Sequence, residues 1–232
     1  MTKKRYIIGL DEVGRWPLAG PVTVGGVFCL PWFERNPSAS PLPYRGETTW
    51  IDMITDSKKL NHKKREYLTE QLLSCPDVLW ATSSVSASYI DRHGIVAAIR
   101  KAALEVIEQI IQQVTPLLWD GWEQDVEILL DGKTDYGLRK TLAASDKLQA
   151  VNLTTIIKGD SLIREIGAAS IIAKVQRDHY MTDLSHKKKY QAYEFDRHKG
   201  YGTLLHRTAI AEYGLSDQHR KSFCRKFISM WE

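Results

Sequence analysis

Apolar residues recur along this chain in two rhythms, and the alternation between them outlines the elements. Tyr6 to Leu10 and Pro21 to Leu30 are apolar, β-branched runs separated by Gly14–Gly20, which predicts two strands joined by a turn. Asn61 suits the N-cap of a helix running to about Leu73, and Val78 to Val85 reads as another strand. From Ile95 to Val114 apolar residues recur at 95, 98, 99, 102, 103, 106, 107, 110, 111 and 114. Spacings of three and four make this a long amphipathic helix, which Pro116 stops. Val126 to Leu130 is apolar apart from Glu127 and ends in Asp131-Gly132, the pattern of a buried central strand. Leu153 to Ile157 is similar and ends in Lys158-Gly159-Asp160. Ile163, Ile166, Ala169, Ala173 and Gln176 then line one face of a second long helix, and Thr203 caps a last substantial one through Tyr213. Pro31 to Trp50 holds prolines 31, 37, 41 and 43 and reads as a loop or insertion. Strands come first and then alternate with helices. The expected class is α/β: a mixed sheet flanked by helices, followed by a basic helical C-terminal part.

Composition refines this picture without changing it. The 232 residues, 43% hydrophobic and 26% charged, suffice for one large core. We divide them into a main α/β unit over 1–184 and a basic helical segment over 185–232. No stretch approaches about 18 apolar residues, so a membrane span is not expected. The basic start Met1–Arg5 leads into a short apolar run that meets Asp11 and Glu12 at once, a strand rather than a signal peptide. Cys29, Cys75 and Cys224 lack metal-type spacing and fit reduced thiols, so a cytoplasmic protein is expected, and separately a monomeric one. Net charge is +4 with pI near 8.8, too mild to identify a partner. Its distribution says more: residues 185–226 carry ten Lys/Arg (187, 188, 189, 197, 199, 207, 220, 221, 225, 226) against four acids, and four of the seven histidines. That stretch is either a phosphate-facing surface or a plainly solvated basic face.

The candidate chemistry lies in carboxylates placed where apolar strands end: Asp11 and Glu12, Asp131, and Asp160. Adjacent strand residues point to opposite faces, so Asp11 and Glu12 share one site only if the strand twists or bulges there. If these strands are neighbours, four acids converge. Two like charges 4 Å apart repel by about 1 kcal/mol in water and about 4 kcal/mol at an effective dielectric of 20. Such a cluster calls for protonation or a cation, and hard divalent ions with oxygen ligands, Mg²⁺ or Mn²⁺, suit it. Two such ions could activate a water against a phosphodiester. Taken singly, each acid could merely end a strand.

Six motifs keep a fixed order along residues 6 to 223: Gly9-Leu10-Asp11-Glu12-Val13-Gly14-Arg15 with Pro17 to Val22; Asp56-Ser57-Lys58-Lys59-Leu60; Leu130-Asp131-Gly132-Lys133; Lys158-Gly159-Asp160; Ala168 to Val175 closed by Arg177-Asp178; and His198-Lys199-Gly200-Tyr201-Gly202-Thr203, followed by His219 to Phe223. Together they resemble the ribonuclease HII family. The resemblance implies an RNase H-like fold and cleavage of the RNA strand of RNA/DNA hybrids. It also implies incision on the 5′ side of ribonucleotides embedded in duplex DNA, leaving 5′-phosphate and 3′-hydroxyl, in removal of misincorporated ribonucleotides and RNA primers. It carries catalytic and metal-binding roles, with two Mn²⁺ or Mg²⁺ ions, to Asp11, Glu12, Asp131 and Asp160. It carries substrate contacts to Gly14, Arg15, Trp16, Ser57, Lys58, Lys199 and Tyr201, the tyrosine ring packing on the deoxyribose after the ribonucleotide. Asp178, 18 residues beyond Asp160, lies about 27 Å along a continuous helix and reads as a cap or salt-bridge partner.

Two departures touch recognition more than hydrolysis. Trp16 stands where the family has the second glycine of Gly-Arg-Gly, adding bulk and restricting the backbone beside the ribose 2′-OH. Leu162-Ile163 replaces smaller, polar residues. Arg15 and Tyr201 favour HII over the related ribonuclease HIII, and the adjacent Asp11-Glu12 differs from the Asp-x-Glu of proofreading exonucleases. The alternative from another class is a hybrid-binding module whose junction specificity is weakened or altered by Trp16.

Overall fold

The computed structural model describes residues 6–30, 50–117, 121–146 and 148–228. Met1–Arg5 and nearly all of the Pro-rich stretch lie outside them. Strands β1 (Tyr6–Val13), β2 (Val22–Cys29), β3 (Val78–Val85), β4 (Val126–Asp131) and β5 (Asn152–Ile156) form one sheet in the order β3-β2-β1-β4-β5. β1, β2 and β3 pair antiparallel, whereas β4 is parallel to β1 and β5 to β4. Parallel pairing puts the C-terminal ends of β1, β4 and β5 on one side of the sheet.

The helices are α1 (His62–Ser74), α2 (Ala87–His93), α3 (Ile95–Val114), α4 (Leu138–Ala143), α5 (Gly159–Leu162), α6 (Arg164–Ser185), α7 (Phe195–His198), α8 (Leu204–Tyr213) and α9 (Lys221–Ile228). Asn61 accepts the Lys64 N–H and Thr203 the His206 N–H, so the caps fall where their side chains predict. The apolar stripe of α3 covers one sheet face: Ala98, Ile99, Ala102, Val106, Ile107 and Ile110 are fully buried against Ile8, Leu10, Val24, Phe28, Ile128 and Leu130. α6 covers the other face, with Leu68 and Leu72 of α1 outside it. Among the described residues no helix is long and apolar enough to cross a membrane.

Small residues let α6 sit unusually close. A Cβ on Gly9 would lie 2.3 Å from the Glu165 carbonyl carbon, and one on Gly25 2.4 Å from the Ala169 oxygen. This close approach also brings the Ser170 side of α6 over the end of β1.

Three sequence expectations are corrected. Ile163 is not in the long helix; it caps α6 in extended conformation and separates it from α5. Gln176 does not line the buried face but is exposed. The buried residues of α6 surround most of its circumference, because its C-terminal half is covered by the chain after Ser185. There Met181 and Leu184 cluster with Ala19, Tyr190, Tyr193, Phe195 and Ala209, so a single-stripe reading fails. Finally, β5 ends at Ile156 and leaves Ile157 exposed.

The connection between β1 and β2 is anchored to the C-terminal segment rather than left as a free turn. The Leu18 N–H donates to Gly200 O at 2.9 Å, Gly20 N–H to Gln218 O at 2.8 Å, and Arg220 N–H to Leu18 O at 2.7 Å.

Candidate active site

Register decides which acids meet. Leu10 pairs with Leu130 across β1 and β4, and both face α3, so the next residues, Asp11 and Asp131, turn to the α6 side. Asp160 arrives just after β5, in α5. Carboxylate oxygens of Asp11, Asp131 and Asp160 all lie within 4.8 Å of one another. Glu12 is not in that trio. By strand alternation it faces the other way, where its Oε1 accepts the Tyr136 hydroxyl at 2.8 Å and lies 3.7 Å from the Arg15 guanidinium.

The acids are held by donors before any ligand arrives. Asp11 Oδ1 accepts the Glu12 N–H at 2.7 Å, and Asp131 Oδ1 the Gly159 N–H at 2.7 Å. Burial pushes the Asp11 carboxyl well above the ordinary 3.8, with Glu12 and Asp131 adding to it and Ser170 and Lys58 opposing. Burial raises Glu12 as well, against the Tyr136 hydrogen bond and Arg15. Asp160 is raised by burial, then by Asp131 and Asp56. Burial works against the Lys58 ammonium, yet Asp11, Asp56, Asp160 and Asp131 around it raise it overall. Raised carboxyls at Asp11, Glu12 and Asp160, with a lysine held in their field, mark a site short of positive charge. The donor set is wholly oxygen, so a hard divalent cation such as Mg²⁺ or Mn²⁺ fits it better than a thiophilic metal.

Around the acids, the expected substrate residues fall in different settings. Gly14 takes φ of 86°, and a Cβ there would meet Arg177 Nε at 2.2 Å. Arg15 lies between two rings, 4.9 Å from the Trp16 centroid and 5.4 Å from that of Tyr136, and donates to the Tyr136 hydroxyl at 2.9 Å. The Trp16 indole is 73% exposed over Arg15, and Trp16 is not among the described residues with positive φ. The loop takes that conformation at Gly14, so the backbone restriction expected of Trp16 does not apply. Ser57 is buried, its hydroxyl 2.9 Å from that of Ser170. Lys199 is half-buried and donates to the Thr182 hydroxyl at 2.6 Å. Tyr201 keeps its ring 38% exposed, with the Arg177 guanidinium 5.8 Å from the ring centre. Asp178 pairs with Lys174 at 2.7 Å along α6, as a salt-bridge partner.

The basic stretch is less of a surface than its sequence implies. Arg220 is fully buried, and His198, His206 and His219 also turn inward. Lys189 pairs with Asp217, and Arg197 with Glu194. Lys187 and Lys188 remain exposed.

Sequence reasoning missed the supports. Ser170 and Tyr136 orient Asp11 and Glu12, and only the small-residue motif around Ser170 hinted at either. Arg177 spends its guanidinium on the carbonyls of Pro21, Lys199 and Ala19, at 2.9, 2.9 and 3.1 Å. Arg220 does the same with Gly20, Arg15 and Gly14, at 3.0, 3.0 and 2.6 Å. Two interior cations thus fix the backbone of the Gly14–Pro21 connection.

A family model described as Ribonuclease HII matches residues 8–226. The Ribonuclease HII of Geobacillus sp. (strain WCH70) is 37% identical over 218 residues, covering 94% of this chain. The chain spans 64% of the length of that relative. The ribonuclease H2 of Pyrococcus horikoshii OT3 has the same fold, with TM-score 0.67 at 22% identity over 97% of this chain and 98% of that one. So does Bst-RNase HIII in complex with Mn²⁺, with TM-score 0.66 at 17% identity over 100% of this chain and 72% of that one. The match across nearly the whole length places this chain in the ribonuclease HII family, a family of hydrolytic nucleases.

Proposed function

We propose that this protein is an endoribonuclease that cleaves the RNA strand of RNA/DNA hybrids and incises 5′ of ribonucleotides embedded in duplex DNA. The reaction is two-metal-ion hydrolysis giving 5′-phosphate and 3′-hydroxyl. The observation that carries this reading is the Asp11–Asp131–Asp160 trio at the parallel strand ends, together with the family match. These three are the residues that would hold two divalent ions, Mn²⁺ or Mg²⁺, with Glu12 joining them only by turning from Tyr136 and Arg15, and the Mn²⁺ complex of Bst-RNase HIII supports that choice. When bound, such a pair supplies Lewis-acid activation of a water and neutralises charge at the phosphodiester.

The chain's own residues prepare the rest. The Glu12 N–H and Ser170 orient Asp11, the Gly159 N–H orients Asp131, and Tyr136 with Arg15 orients Glu12. Lys58, drawn toward the carboxylates, is placed to meet a phosphate once cations take over that field. The Gly14–Trp16 loop and Tyr201 read the ribonucleotide and the nucleotide after it. Residues 1–184 act as the catalytic unit and 185–232 complete the substrate groove. We place the protein in the cytoplasm as a monomer.

The test is end analysis of the product from a duplex carrying one ribonucleotide, with Mg²⁺ or Mn²⁺ present. A single cut on the 5′ side, leaving a 3′-hydroxyl, is expected. A cut on the 3′ side, or a 3′-phosphate, would overturn the mechanism.

A further inference from the structure

Three of the four histidines after Ser185 turn inward, and their neighbours leave each ring one placement for its proton. The Ser216 N–H meets Nδ1 of His219 at 2.9 Å, and a main-chain amide can only donate, so that nitrogen is bare. At the other end, Nδ1 of His206 lies 2.9 Å from the Tyr201 carbonyl oxygen, which can only accept, so that nitrogen carries hydrogen. The two Nε2 atoms face each other at 3.0 Å. With both rings neutral, the His219 Nε2–H donates to the bare Nε2 of His206. Burial keeps them neutral: it holds His206 down to about 3, with His198 adding to it, and His219 down to about 4. His198 stacks on His206 with centroids 4.2 Å apart, but its own Nε2 donates to Tyr193 O at 2.7 Å, so it does not compete.

The run ends on a peptide already held elsewhere. The Tyr201 N–H donates to His198 O at 2.9 Å, and Tyr201 O also accepts the Thr203 N–H at 2.8 Å. The backbone of Tyr201 is therefore pinned while the residue stays 38% exposed. A leucine or phenylalanine would fill either histidine's space without buried polar atoms to satisfy. Two imidazoles linked head to head do something packing alone does not require.

We propose that His206 and His219 are positioning residues for Tyr201. A directed hydrogen-bond run from the Ser216 amide through both rings fixes the Tyr201 carbonyl, and with it the presentation of the exposed ring to nucleic acid. Both histidines are buried, so any effect they have on substrate passes through Tyr201. The inference rests on the reading of Tyr201 as a substrate contact.

Two measurements test it. Long-range ¹H–¹⁵N spectra of the intact protein read the imidazole tautomers. At pH 7 His206 is expected as neutral Nδ1–H, the opposite of what a free histidine prefers, and His219 as neutral Nε2–H. Finding His206 as Nε2–H, or charged, overturns the run. In the second, His219→Leu removes the donor, while His219→Gln returns an N–H near the Nε2 position. On a duplex with one ribonucleotide, His219→Leu is expected to raise KM about fivefold, the weight of one neutral hydrogen bond, with kcat changed less than about twofold. His219→Gln is expected to bring KM back to near wild type. Equal damage to kcat and KM, or no rescue by Gln, overturns the positioning role. Should His219→Leu fail to fold, the tautomers still decide. Tyr201→Ala is the reference: if it leaves KM unchanged, the reading of Tyr201 as a contact falls, whatever the tautomers show.

Discussion

Removing one carboxylate from the trio should stabilise the metal-free protein. Asp11→Asn is the cleanest choice, because Asn keeps the oxygen that accepts the Glu12 N–H and nearly the same volume. At 4.8 Å and an effective dielectric of 20, two unit charges repel by about 3.5 kcal/mol. Asp11 faces both Asp131 and Asp160, while Ser170 and Lys58 offset part of this. A net gain of about 2 kcal/mol is a fair expectation, or roughly 4–8 °C in Tm for a chain of this size. The sign follows from the raised Asp11 carboxyl. It favours the protonated form in the folded state, so its penalty is full above the folded pKa and absent below about 3.8, where both states are protonated. Thermal melts in excess chelator should therefore show the variant's advantage at pH 8 and its disappearance near pH 4. Adding Mn²⁺ should reverse the order, since a ligand at 100 times its Kd stabilises by about 2.7 kcal/mol and the variant binds it poorly. If the variant melts at or below wild type in chelator at pH 8, the repulsive-cluster argument is wrong.

Three further outcomes are expected. Binding to hybrid duplex should weaken steeply with salt, and charge reversal at Lys187 and Lys188 should flatten the log–log slope by about 0.9 for each phosphate no longer neutralised. An unchanged slope would make that segment a bystander. Trp16→Gly should improve cleavage at a lone ribonucleotide with little effect on a long hybrid. If both activities fall instead, the exposed indole over Arg15 is a stacking contact and the steric argument fails. Gly9→Ala drives a methyl to 2.3 Å from the Glu165 backbone and should cost about 2–3 kcal/mol, or roughly 4–12 °C in Tm. A melt unchanged by that substitution would mean α6 can retreat from the sheet.

The sheet and the acids were legible because the parallel strands read as short, largely apolar or β-branched runs, with Asp11 and Asp131 at the ends of two of them and Asp160 a few residues after the third. The α3 stripe was legible because a single face meets the sheet. Four acids were expected to converge, with Asp11 and Glu12 sharing the site only if the strand twisted or bulged; β1 keeps its alternation there, and the trio among the described residues omits Glu12. The basic C-terminal stretch misled, because sequence counts charge without showing where it goes. Arg220 looks like another phosphate ligand until its guanidinium is found on the carbonyls of Gly14, Arg15 and Gly20, some 200 residues away in sequence. The fold alone brings the histidine run together, since nothing local in sequence joins His206 to His219. Tyr136 escaped notice because it reaches Glu12 from a loop with no periodicity, at a positive φ of 52°.

The central claim is that the carboxylate trio works by holding divalent metal. It is tested most directly by single-turnover cleavage of a one-ribonucleotide duplex across a Mn²⁺ titration, with wild type beside Asp131→Asn. The account predicts no cleavage in excess chelator, recovery as metal is added, and a loss of at least about a hundredfold in Asp131→Asn while the variant stays folded. Undiminished cleavage in chelator, or near-wild-type rates from folded Asp131→Asn, would contradict it.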